Sequence, residues 1–396
     1  MSRNARRKDP ALRPKQKLEL RDGNYTMRLI CLGVAITVAV LAFAAVLNGL
    51  LQPKTGWQQV EATNSQTGAG QDFLLCYNIG QTSMDAEQEQ KSLISNYSRL
   101  LDQGYGVLSS TEQEGYVNLY TLNQQPNTAL TVDDVLYQAL KTVEASGSRM
   151  IYFAPLMGQY RSLFACTYDQ EAELFDPARS EEAAAFVREI AAFAADPEAV
   201  QVRLLPENTV RLEISPEYLA YARENQVESF VDFGILMNAF LCDAVADGLA
   251  EQGFVNGYVT SFDGFTRALC SDEFGLNVFD QAEGRPQQLG TVTYHAPGAV
   301  VSCRAFPILD KDSVNYYTYS DGTVLAPYLN DRGELHCAAA SLNTFSAALT
   351  VGELALRTLT AYAGDDPDFG SLEDLSWVAG QDQQIILHGD EFTLAE

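Results

Sequence analysis

The sequence predicts an α+β protein with mixed sheets and flanking helices, preceded by one N-terminal transmembrane helix. Three observations lead there. The run Leu29–Leu51 holds 23 residues with Asn48 as its one strongly polar side chain. At about 1.5 Å rise per residue, such a helix spans a hydrocarbon core of roughly 30 Å. The remaining chain, residues 52–396, is long enough to bury a full core. Within it, helix-spaced and strand-alternating stretches mix without a strict βαβ rhythm.

Charge sets the orientation. Arg3, Arg6, Arg7, Lys8, Arg13, Lys15, Lys17, Arg21 and Arg28 precede or adjoin the apolar run, against Asp9, Glu19 and Asp22. Positive flanks stay in the cytoplasm, so the chain from Gln52 onward is expected outside. A cleaved signal peptide is the alternative, with Ala42 and Ala44 as a weak small-x-small site. Cutting there leaves Val46–Leu51 as an exposed apolar stub, so a retained signal anchor is the preferred reading. The expected layout is a basic cytoplasmic segment (1–28), an anchor (29–51), a polar stalk (52–72), a main domain (73–364) and an acidic extension (365–396).

Nine of the 26 Lys+Arg and three of the 52 Asp+Glu lie before residue 52, which leaves 17 against 49 and a net charge of −32 outside. Such a field repels nucleic acid and anionic headgroups, and nucleotides too unless a divalent cation or a local Arg offsets it. Six cysteines lie outside (Cys76, Cys166, Cys242, Cys270, Cys303, Cys337) with no tight pairing in sequence. Both disulfides and buried thiols remain open. Only His295, His336 and His388 exist, none close to another in sequence, which argues against a histidine-built zinc site.

Phe73–Tyr77 reads as a first strand. Asp85–Asp102 carries Leu93, Ile94, Tyr97, Leu100 and Leu101 at helical spacing. Thr131 is the expected cap of a helix running past Leu140, with Asp133 and Asp134 in its first turn. Met150–Ala154 reads as a short strand, and Ser180 opens a helix that stops before Pro197. Val200–Leu205 and Thr209–Ile214 form a hairpin signal, and Pro216 suits the first turn of a helix. Gly234 to Gly253 reads as a long apolar helix. Phe254–Phe262, Gly275–Phe279, Thr291–His295 and Val300–Cys303 are strand candidates. Leu342–Tyr362 is read as a second long helix, and Gln384–His388 as a last strand.

Five local patterns stand in one order. They are Ser109-Ser110 with Asn118-Leu119 and Leu122-Asn123; the Leu136–Ala145 helix; Val231–Asp243, leading to Phe262-Asp263-Gly264; Val301-Ser-Cys-Arg304, with Tyr317–Gly322 and Asn330–Gly333; and Ala338–Ser341 before Thr350. This order resembles the FAD:protein FMN transferase (ApbE-type) family over roughly residues 73–364. The resemblance implies a secreted or anchored domain that binds FAD, splits its pyrophosphate with Mg²⁺ and attaches FMN to a Thr or Ser of a target protein.

The motif positions depart from the family's in a consistent way. Against the pattern L-D-L-G-G-I-A-K-G, Asp232 and Gly234 match, but Ile235 replaces the second Gly, Asn238 the Lys and Ala239 the following Gly. The Gly-Gly-Asp turn is represented by Phe262-Asp263-Gly264. The segment H-I-I-D-P-x-T-G falls on Ala326–Gly333 and keeps only the Gly. The helix motif A-D-A-L-A-T falls on Phe345–Thr350, where Thr350 keeps the hydroxyl and Ser346 replaces the metal-binding carboxylate. A neutral Ser is a poor ligand for a hard divalent cation.

The resemblance therefore implies Asp263 and Arg304 as catalytic candidates, and Asp232, Gly234, Ser302 and Tyr317 as cofactor-binding candidates. Thr350 and Ser346, taken as one helical face, are the metal candidates. Arg304 is the best phosphate partner because its guanidinium offers a forked donor set. Each has a plainer reading: helix cap for Asp232, turn for Asp263-Gly264, core for Tyr316, Tyr317 and Tyr319, and helix packing for Ser346 and Thr350. The expected function is a membrane-anchored, extracytoplasmic flavin- or partner-binding domain with impaired catalysis. An active Mg²⁺-dependent FMN transferase is the alternative, and an anchored assembly or sensor component without flavin the second. Expected partners are the membrane, through Leu29–Leu51, and a flavinylated or partner membrane protein.

Overall fold

Apolar residues repeating at every second position build the centre of the structure. The computed structural model describes residues 55–63, 67–270, 273–294, 298–308, 310–389 and 392–395. The expected anchor Leu29–Leu51 lies outside the described residues, among which no helix is long and apolar enough to cross a membrane. In chain order the strands are β1 (Gly56–Val60), β2 (Phe73–Ile79), β3 (Ala129–Thr131), β4 (Val200–Leu205), β5 (Thr209–Ile214), β6 (Gly257–Ser261), β7 (Phe265–Ala268) and β8 (Phe274–Ala282). They continue with β9 (Arg285–Tyr294), β10 (Ala299–Arg304), β11 (Tyr317–Thr318), β12 (Val324–Leu325), β13 (Ser341–Ser346), β14 (Ser376–Gln381), β15 (Gln384–His388) and β16 (Phe392–Ala395). The helices are α1 (Ala86–Leu108), α2 (Leu119–Gln124), α3 (Asp134–Ser146), α4 (Ala154–Phe164), α5 (Asp169–Ala172), α6 (Glu181–Ala195), α7 (Pro216–Glu224), α8 (Leu236–Glu251) and α9 (Val351–Ala363).

An eight-stranded sheet runs in the order β1-β2-β6-β7-β10-β13-β14-β15. Helices α1, α8 and α9 pack together on one of its faces. The other face meets a three-stranded sheet, β16-β9-β8, through Val278, Val292 and Tyr294 against Val300, Phe345 and Val378. Strand β13 is consequently buried along its whole length. Thr344 shares a hydrogen bond with Thr358 of α9, while Ser341 donates to the Phe279 carbonyl on the opposite side. A smaller sheet, β3-β5-β4, packs with α3 at the other end of the same core.

Several expectations are corrected. The sheets are not mixed: every named strand pairing among the described residues is antiparallel. Short turns join β4 to β5, β6 to β7, β8 to β9 and β14 to β15, and a two- or three-residue turn can only return the chain antiparallel. Met150–Ala154 is not a strand but a 3-10 turn entering α4, whose Pro155 sits in the first turn with φ already helical. Thr131 ends β3, and Asp133 caps α3 by accepting the Val135 N–H at 2.9 Å. Leu342–Tyr362 is not one helix: Leu342–Ser346 is the two-sided strand β13, and a turn separates it from α9.

The expected stalk contributes β1, paired with β2, and the expected extension supplies β14, β15 and β16. Both belong to one compact unit, Lys54–Glu396. Ending the chain at Gly364 removes the neighbour of β13 and exposes Phe345 and Leu342, so the truncated protein is expected to lose its cooperative thermal transition. A 1–364 chain that still melts cooperatively would contradict this placement.

Candidate functional site

The site grows from the turn between β6 and β7. The Gly264 N–H donates to the Ser261 carbonyl at 3.2 Å, and the Phe265 N–H to Ser261 Oγ at 3.1 Å. Gly264 has φ +109°, and a Cβ there would stand 2.1 Å from the Ser302 carbonyl oxygen, so only glycine lets β10 lie this close. Ser302 works through its main chain: its N–H donates to the Gly264 carbonyl at 2.8 Å. The turn aims Asp263 inward. Asn238 of α8 donates to Asp263 Oδ2 at 2.9 Å, while Oδ1 is enclosed with no hydrogen-bond partner. Part of the residue reaches solvent, but the carboxylate oxygen does not. Burial pushes this carboxyl up to about 6, against the pull of Ser261 and Asn238.

A second group comes from the start of α8. Asp232 Oδ1 accepts the Gly234 N–H at 2.9 Å, and Gly234 takes φ +56° with Met157 Sδ where a Cβ would be. Asp232 Oδ2 accepts from Arg161 Nη2 of α4 at 3.0 Å. The Asp232 side chain is 4% exposed and that of Arg161 62%, so a buried carboxylate holds a solvent-facing guanidinium. A third group is the end of β10. The Arg304 N–H donates to Tyr328 Oη at 3.1 Å, and its carbonyl accepts from Tyr316 Oη at 3.2 Å. Its guanidinium Nη2 lies 3.7 Å from Asp312 Oδ2.

These three groups meet in one cavity of about 560 Å³, within the range of small-molecule sites. Tyr160, Phe164, Phe262, Tyr316 and Tyr328 supply aromatic wall, and Arg161, Arg304, Asp72, Asp263 and Asp312 the charge. No protein-family model and no curated protein matches the chain by sequence. Its coordinates are similar to those of flavin transferase ApbE from Vibrio cholerae, with TM-score 0.53 and 14% identity over 84% of this chain and 98% of that one. An ApbE protein from Thermotoga maritima gives 0.52 and 14% over 87% and 97%. Pseudomonas stutzeri flavinyl transferase ApbE, in its apo form, gives 0.53 and 13% over 88% and 96%. The chain has the ApbE fold.

Of the residues the sequence singled out, Gly234, Asp263 and Arg304 line the cavity, and Asp232 stands behind its wall. Tyr317 points elsewhere and donates to Asp169 Oδ1 at 3.0 Å, and it is Tyr316 of that run that lines the cavity. Ser346 and Thr350 lie at the corner between β13 and α9, on two different elements. Arg161 and Asn238 were not picked out as site residues by sequence. For Asn238 the signal was its place in the Asp232 motif; for Arg161 there was none, because its partner is 71 positions away.

The corner tests whether a metal ion suits these donors. Ser346 Oγ accepts the N–H groups of Ala348 and Leu349 at 3.2 and 3.1 Å. Thr350 Oγ1 accepts the Glu353 N–H at 3.2 Å, and Glu353 Oε2 accepts the Thr350 N–H at 2.8 Å. Asp243 of α8 reaches across and takes the Val351 and Gly352 N–H groups at 2.9 and 2.8 Å. Arg267 donates to the Leu349 carbonyl at 3.0 Å. Ser346 Oγ, Thr350 Oγ1 and both carboxylate oxygens of Asp243 are thus engaged by N–H donors, beside a helix N-terminus and a guanidinium that both disfavour a cation. Among the described residues, no group of three His, Cys, Asp or Glu is arranged to hold a metal ion. As they stand, these residues do not fit Mg²⁺.

The Asp263 shift carries a sign. Its pKa in the fold, about 6, lies above its ordinary 3.8, so its stabilising share is full below the lower value and is lost as pH rises through the upper. Asp263→Asn is therefore expected to raise Tm at pH 7.5 by on the order of 2 °C and to leave it nearly unchanged at pH 4. The comparison with wild type is needed because a chain of net charge −26 gains from acid in any case. An equal shift at both pH values would contradict the assignment.

Proposed function

We propose that this protein is a membrane-anchored, extracytoplasmic flavin-binding domain that uses the ApbE fold without the metal-dependent transfer reaction. The observation that carries the reading is the β13–α9 corner. Asp243 occupies the α9 amides, Ser346 stands where the resemblance has a carboxylate, and among the described residues no group of three His, Cys, Asp or Glu is arranged to hold a cation. The cavity supports flavin as the ligand: it offers aromatic surfaces for a planar ring and two guanidinium groups for an anion. When bound, FAD would supply a redox-active ring and a diphosphate. Asp263, Asn238, Arg161, Arg304 and the cavity tyrosines would hold it. Leu29–Leu51 as anchor, and the basic segment before it, support placement of the domain on the outer face of a membrane.

Addition of FAD to the full chain is expected to raise Tm by about 3–6 °C at concentrations well above Kd. It is also expected to perturb the flavin absorbance bands. Millimolar Mg²⁺ with or without FAD is expected to add nothing to either signal. A Mg²⁺-dependent shift, or Mg²⁺-dependent labelling of a Thr-bearing protein with FMN, would favour the active transferase. Absence of any FAD response would remove the flavin reading.

A further inference from the structure

The acidic exterior sets a problem for any anionic ligand. The segment from Gln52 onward carries a net charge of −32, and the cavity holds more carboxylates than guanidinium groups. A phosphate-bearing ligand therefore needs local positive charge, from a metal ion or from arginine. The corner where a metal would be expected does not fit one, which leaves arginine.

Two arginines line the cavity, each beside a carboxylate that leaves part of its donor fork free. Arg161 spends Nη2 on Asp232 and keeps Nη1 and Nε, with most of the side chain in solvent. Asp232 is itself fixed by Gly234 and by its own N–H on the Ile151 carbonyl at 2.9 Å. Arg304 is fixed at its backbone by Tyr316 and Tyr328 and stands 3.7 Å from Asp312, which is beyond a good hydrogen bond. The scaffold thus holds the Arg161 guanidinium through Asp232 and the Arg304 backbone through two tyrosines, on two different elements facing one space.

We propose that Arg161 and Arg304 together bind the diphosphate of the flavin dinucleotide and take over the charge neutralisation that a metal ion would otherwise provide. Recognition then depends on the phosphates and on both arginines, and is indifferent to chelators. The inference rests on the flavin reading given above, and its test separates the two.

The experiment measures Kd of the full chain, in EDTA and in Mg²⁺, for FAD, FMN, riboflavin and ADP. It repeats this with Arg161→Gln, Arg161→Lys and Arg304→Gln. Arg161→Gln keeps a donor for Asp232, and thermal melts check that each variant folds. FAD is expected to bind equally in EDTA and Mg²⁺, and more tightly than riboflavin. Each Gln variant is expected to lose about ten- to hundred-fold in FAD affinity while riboflavin stays within about two-fold. Arg161→Lys is expected to fall between, since it keeps the charge and loses the fork.

Riboflavin binding as tightly as FAD would overturn the inference and leave the flavin reading standing. So would release of FAD by EDTA, or wild-type FAD affinity in Arg161→Gln. ADP binding as tightly as FAD, with the same dependence on Arg161, would support the arginine pair but remove flavin as the ligand. No binding of any flavin or of ADP would overturn both.

Discussion

One carboxylate decides how the two main helices meet and what their junction can do. Asp243, in the middle of α8, donates nothing and accepts from two amides at the start of α9. A helix N-terminus leaves its first N–H groups unpaired and favours negative charge. Asp243 meets both needs, and Thr350 with Glu353 completes the cap. Burial raises this carboxyl to about 6 while the amides of Gly352 and Val351 pull it down. The interaction locks α8 to α9, and both helices cover the central sheet. The same contact engages both oxygens of that carboxylate with N–H donors.

The cavity follows from the same two elements. The start of α8 places Gly234, Ile235 and Asn238 on its wall, and the β6–β7 turn brings Asp263 to Asn238. In the family pattern a Lys stands where this chain has Asn238, and here the amide serves to hold Asp263 rather than to meet an anion. Positive charge reaches the cavity from elsewhere, from α4 and from the end of β10. On the reading proposed above, the cavity lacks the metal-neutralised phosphate that phosphoryl transfer needs.

What could be read in advance was what depends on local chemistry. The α8 helix, the hairpin β4–β5, the Ser180 and Pro216 helix starts and the Asp263-Gly264 turn all follow from nearby residues. Arg304 was found because it ends an apolar strand. The break between β13 and α9 was hidden because Leu342–Ser346 is buried on both faces, so it lacks the alternation that marks a half-exposed strand. Arg161 was hidden for a different reason: its meaning lies in Asp232, and no local pattern carries that contact. The edge strand β1 was read as part of a polar stalk, because nothing local in its sequence announces the pairing with β2, whereas the opposite edge β15 was read as a strand.

The most direct measurement is a ³¹P NMR time course of FAD with the full chain and Mg²⁺, together with a Thr-bearing acceptor protein. An engaged diphosphate and an occupied β13–α9 corner lead to broadened or shifted FAD resonances that persist, with no AMP signal growing in. Steady appearance of AMP, abolished by EDTA, would show that the corner accepts a metal ion after all and would contradict the role given to Asp243.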